Sequence, residues 1–167
     1  MYEKLKELSF KEIIGYAIYS EDEANKFYTN LAKGVGELVA HRFQGFARDE
    51  EMHKRMLLSL HRDQFGDENY IVPKGLPPFE GHDLCCDVPT LIGALEKAML
   101  NEHNAFKVYK FLAKEKKEHK KLFDYLGMME RSHYETLKAE KELYEERALD
   151  DTKGLHALSH YEWTRLI

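Results

Sequence analysis

The sequence predicts an all-α protein, a four-helix bundle with a long crossover between its second and third helices. Three observations predict it. Four long stretches carry apolar residues at helical spacing. The last two of them repeat the first two. The connection between the halves contains Pro73, Pro77 and Pro78 and is far longer than a tight turn. The 167 residues suit one domain, enough to bury a core without disulfides.

The first stretch opens at Ser9-Phe-Lys-Glu12, a capping box in which each end satisfies an orphan backbone donor of the other. Leu8 and Ile13 flank it as a hydrophobic staple. Ile13, Ala17, Ala24, Phe27, Tyr28 and Leu31 then recur on one face, and Gly34 and Gly36 stop the helix. The second stretch runs from about Glu37 to Arg62, with Phe43, Phe46, Ala47, His53, Leu57 and Leu60 on one side and Gly66 beyond its end. These two form a helix pair over about 9–62.

Residues 63–88 form the crossover. A short link would make the second and third helices antiparallel neighbours, whereas a long one lets the second pair dock parallel to the first. The third helix starts near Pro89, which suits a first helical turn, and runs to about Lys114. The fourth runs from about Glu118 to Glu146, so the second pair spans about 89–147. A tail over 148–167 follows, with Gly154 as a break and a short helix from Leu155.

Hydrophobic residues make up 43% and charged residues 33%, with a net charge of −5. That balance gives no footprint for nucleic acid. The longest apolar run, Ile13 to Tyr19, is too short to span a membrane. Met1 to Glu7 lacks the apolar core of a signal peptide. The only cysteines, Cys85 and Cys86, are adjacent, are strained as a disulfide and cannot staple distant segments, so they read as inert loop residues. Together these features predict a cytoplasmic protein. His41, His61, His82, His103 and His119 read as surface or loop residues, and His156, His160 and Trp163 as packing on the bundle or a partner.

The repeat carries the chemistry. Ala17, Glu21, Ala24, Tyr28, Leu31 and Ala32 match Ala98, Glu102, Ala105, Tyr109, Leu112 and Ala113, an offset of 81 from Glu21 to Glu102. Phe46-Ala-Arg-Asp-Glu50-Glu-Met-His53 aligns with Leu126-Gly-Met-Met-Glu130-Arg-Ser-His133 at an offset of 80. Each half is a helix with a central Glu followed by a helix with Glu-x-x-His. Residues three apart lie about 60° apart on one helix face, so Glu50 and His53 reach one metal together, and so do Glu130 and His133. Glu21 and Glu102 add one carboxylate from each remaining helix. Carboxylate with imidazole suits Fe, Mn or Zn. Two divalent ions would balance the four carboxylates; without them, several would have to be protonated.

One Glu-x-x-His match is expected roughly by chance in a Glu-rich chain with nine histidines, so the joint pattern carries the argument. Tyr28 and Tyr109 lie two turns beyond Glu21 and Glu102 on the same faces. They read either as core or as hydrogen-bond donors to ligand carboxylates across the bundle.

Ala-x-x-x-Glu-x-x-Ala-x-x-x-Tyr with Glu-x-x-His, given twice over about residues 9–147, resembles the ferritin-like diiron superfamily and, within it, the rubrerythrins. The resemblance implies two iron ions, with Mn or Zn as alternatives. It implies Glu50 and Glu130 as bridges, with Glu21, Glu102, His53 and His133 as terminal ligands. It also implies reduction of hydrogen peroxide or O2 in the oxidative-stress response; relatives oxidise ferrous iron with O2. Two departures stand out. There are no paired Cys-x-x-Cys knuckles of a rubredoxin domain, so electrons must come from a separate donor protein. Ala105 also occupies the place of an extra Glu that exchanges with a His in rubrerythrins. The leading expectation is a diiron peroxidase. Iron oxidation and detoxification is the alternative, and a non-catalytic interaction bundle the third. The long crossover makes a homodimer expected, with exchange of helix pairs between chains open to it.

Overall fold

The computed structural model describes residues 2–76 and 91–163, with side chains over 4–76 and 91–146. Within them the chain is helical, with no strand: α1 (Tyr2–Glu7), α2 (Phe10–Leu31), α3 (Glu37–Phe65), α4 (Leu91–Glu115), a 3-10 turn (Lys117–His119) and α5 (Lys120–Trp163). The bundle is built from α2 to α5. No helix among the described residues is long and apolar enough to cross a membrane.

The capping box at Ser9 forms as the sequence indicates. Ser9 N donates to Glu12 Oε2 at 2.9 Å, and Glu12 N to Ser9 Oγ at 3.3 Å. At the other end of the first pair, α3 continues three residues past the expected Arg62 and stops at Gly66. Gly66 takes φ +81° and returns its N–H to the Arg62 carbonyl. Only glycine adopts that left-handed cap freely. Helix α1 is an addition to the expected architecture, and it buries Leu5 in the core.

The tail is helical, but Gly154 does not break it: α5 runs through that position to Trp163. A helix-interior glycine costs only about 1 kcal/mol relative to alanine, too little to stop a helix by itself. Pro77, Pro78, Cys85, Cys86, His82 and Pro89 lie outside the described residues, as do the side chains of His156, His160 and Trp163.

Helix α2 packs closely on α3, and α4 on α5. Contacts across the bundle set the directions. Tyr28 meets Glu102 while Tyr109 meets Glu21, so α2 and α4 are antiparallel. Arg42 meets Glu140 while Glu50 meets His133, so α3 and α5 are antiparallel. Helices α3 and α4 therefore run in the same direction, and their link must return along the bundle, which explains its length; the equivalent helices of the two pairs are antiparallel, so the second pair does not dock parallel to the first as expected.

Two apolar clusters form the core. One gathers Ile14, Tyr16, Leu57, Tyr109 and Phe123, the other Phe27, Tyr28, Phe43, Leu95 and Leu137. On every bundle helix the six residues expected as ligands are buried and fall between the two clusters: 21 on α2, 50 and 53 on α3, 102 on α4, 130 and 133 on α5.

The first part of the crossover lies on α2. A Cβ at Gly15 would collide with the Ile71 carbonyl, so only glycine permits this approach. Gly15→Ala is expected to push the 67–72 segment off α2 and cost roughly 1–3 kcal/mol, read as a drop of several degrees in Tm. An unchanged Tm would show that the segment does not depend on this contact. His61, expected at the surface, is fully buried. Its Nδ1 lies 2.6 Å from the Asp67 carbonyl, because the returning chain covers it. His119 stacks on Phe10 with ring centroids 4.8 Å apart.

Candidate metal centre

The structure brings Glu21, Glu50, His53, Glu102, Glu130 and His133 into one buried cluster, none more than 3% exposed. The bundle helices supply them in the pattern that helical spacing dictates. Glu50 and His53 share one face of α3, as Glu130 and His133 share one face of α5. The lone carboxylates Glu21 and Glu102 point in from α2 and α4.

Both histidines turn Nδ1 toward the carboxylates. His53 Nδ1 lies 3.0 Å from Glu50, 3.1 Å from Glu130 and 3.4 Å from Glu21. His133 Nδ1 lies 3.1 Å from Glu50, 3.4 Å from Glu102 and 3.7 Å from Glu130. These atoms resolve into two groups of four, each with ligand atoms within 4.8 Å of one another. Glu21, Glu50, His53 and Glu130 form one; Glu50, Glu102, Glu130 and His133 form the other. Glu50 and Glu130 belong to both. The tyrosines close the arrangement crosswise: the Tyr28 hydroxyl donates to Glu102 and the Tyr109 hydroxyl to Glu21.

Four carboxylates in a space with no access to water are costly unless cations or protons compensate. Burial first, then the neighbouring Glu130, pushes the Glu21 and Glu102 carboxyls well above the usual carboxylate range. Burial opposes charge on His53 and His133, but the surrounding carboxylates outweigh it and raise both. Burial would likewise raise Glu130, yet His133 and His53 hold it below its ordinary value. The cluster attracts positive charge strongly. Among the described residues, Glu50 Oε1, Glu102 Oε2, both Glu130 oxygens and His133 Nδ1 have no hydrogen-bond partner. Buried polar atoms are seldom left so, and a metal ion is the ligand that such a donor set fits.

The family model for rubrerythrins matches residues 12–141. The chain belongs to the rubrerythrin family. A solved structure of a hypothetical protein from Pyrococcus furiosus is similar at 32% identity, over 84% of this chain and 93% of that one, with a TM-score of 0.72. No curated protein matches the chain. Family and cluster together mark the centre of this rubrerythrin-family bundle as a metal site. The two cysteines of this sequence are too few for the paired Cys-x-x-Cys knuckles of a rubredoxin domain.

Ala105 is buried at 2% and brings no seventh ligand, so the site is nearly two-fold symmetric. Sequence reasoning missed two polar residues around it. Asp49 stands behind His133, but a charge on a helix flank reads as solvated. Glu140 is buried, two turns beyond His133, and is paired with Arg42 from α3. The repeat could not signal it, because the equivalent position is Leu60.

Proposed function

We propose that this rubrerythrin-family protein reduces hydrogen peroxide, and more slowly O2, at a diiron centre. A separate donor protein supplies the electrons. The observation that carries this reading is the pair of four-residue groups that share Glu50 and Glu130. Two shared carboxylates, with one further carboxylate and one imidazole on each side, are a ligand set for two adjacent ions rather than one. Iron in such a site supplies electrons and acts as a Lewis acid on the O–O bond.

The residues of the chain do the rest. Glu50 and Glu130 would hold both ions, with Glu21 and His53 on one and Glu102 and His133 on the other. Tyr28 and Tyr109 fix one oxygen of Glu102 and Glu21, leaving the other free to ligate. The apolar clusters at both ends keep bulk water away from the carboxylates, which strengthens every charge contact inside. Reduction of one peroxide to two waters takes two electrons and two protons, and the donor protein would supply the electrons.

The test is to measure iron per chain, then mix the reduced protein with peroxide and with O2. About two irons, reoxidised faster by peroxide than by O2, is the expected result. Faster reoxidation by O2, with iron accumulating far beyond two per chain, would overturn it in favour of ferrous-iron oxidation and detoxification.

A further inference from the structure

The halves of the site match ligand for ligand but differ behind the histidines. His133 turns Nδ1 inward and Nε2 outward, where Asp49 Oδ2 stands 3.4 Å away. That is longer than a formed N–H···O bond, so the contact is electrostatic. The Asp49 side chain is 42% exposed, free to turn the few tenths of an ångström that would close it. Asp49 immediately precedes Glu50 on α3, so it reaches His133 from the opposite helix pair. The repeat equates Asp49 with Met129, immediately before Glu130. A thioether accepts hydrogen bonds only weakly. Neither His53 Nε2 nor His133 Nε2 has a formed hydrogen bond among the described residues; the difference is the Asp49 carboxylate beside His133 Nε2.

We infer that Asp49 is a positioning residue for His133, and that it makes the two metal positions unequal. The position of Glu102 and His133 holds its ion more tightly than that of Glu21 and His53. This rests on the two-metal reading above. An imidazole that gives Nδ1 to a metal carries its remaining proton on Nε2. A carboxylate that accepts a hydrogen bond from this N–H fixes the tautomer and the ring orientation, and makes Nδ1 a stronger donor. Asp49 stands where it can be that carboxylate for His133, and among the described residues His53 Nε2 has no counterpart.

The test is titration of the metal-free full-length chain with Co2+, followed by its visible absorption. The unaltered protein is expected to bind two ions in two resolved steps. Asp49→Ala is expected to weaken the tighter step by about 10- to 100-fold, bringing the steps together and changing the spectrum of the first ion. Asp49→Glu, which keeps the carboxylate, should restore the separation. Metal-free Asp49→Ala should remain folded, with a single cooperative unfolding transition, so that a weakened metal step reads as lost affinity and not as lost fold. Two Co2+ bound with the same affinities and spectra in Asp49→Ala would overturn the inference and leave the two-metal reading standing. Failure of the unaltered protein to bind Co2+ would overturn both.

Discussion

Glu50→Gln is expected to empty both metal positions at once. Glu50 belongs to both four-residue groups, so its loss removes a ligand from each ion. Even residues that only support a ligand are worth about 10- to 100-fold in metal affinity, and a shared ligand should exceed the upper figure at each position. Metal per chain after dialysis should fall from two to near zero. Glu130→Gln should do the same, whereas Glu21→Gln takes a ligand from one group only and should leave about one ion. The metal-free variant provides a second readout. Glu50 Oε1 is buried without a hydrogen-bond partner among the described residues, in a cluster with more carboxylates than imidazoles. Glu50→Gln keeps the volume and removes a charge, so metal-free stability should hold or rise. Two ions retained in Glu50→Gln would refute the shared-carboxylate arrangement.

Removing the metal should change how stability depends on pH. Glu21 and Glu102 have folded pKa values raised by burial and by Glu130. Above the ordinary carboxylate range the unfolded chain releases protons that the folded chain keeps, so rising pH favours unfolding. His53 and His133 are also raised, their carboxylate neighbours outweighing burial. Their contribution is fully present below the ordinary imidazole value and is lost as pH rises above it. Glu130 is lowered, so its contribution is lost only on acidification and leaves this window unaffected. All four raised groups act in one direction, and the metal-free protein should lose stability from about pH 5 to about pH 8. The slope is about 1.4 kcal/mol per pH unit for each proton retained only by the folded state. Metal replaces those protons, so the loaded protein should show a flat or rising profile. Free metal at about 1,000 times Kd would add about 4 kcal/mol. Thermal unfolding of chelated and reloaded protein across this range checks both. A metal-free protein most stable at the alkaline end, or unmoved by metal, would contradict the charge balance described for the cluster.

Much of this architecture is legible in local signals. Ser9 with Glu12, Gly66 and the apolar spacing mark helix ends and faces, because capping and periodicity act over a few residues. The six Glu and His residues of the central cluster were legible only through the repeat, since each alone looks like a solvated charge. What the sequence could not disclose depends on register between helices. Asp49 looks like one more surface acid until α3 and α5 are set side by side. Glu140 looks exposed until Arg42 is placed opposite it. His61 reads as a surface residue because the segment that covers it comes from beyond its own helix. Gly154 reads as a stop, yet a lone glycine costs too little to end a helix, and α5 runs through it.

Each helix pair brings two glutamates and one histidine, and each group of four draws three residues from one pair and one from the other. A half-length hairpin that paired with its own copy would therefore assemble the same six side chains. Joining the halves in one polypeptide adds nothing to that ligand set. It frees each half from having to suit its twin, and a difference such as Asp49 on one side and Met129 on the other becomes heritable without being doubled.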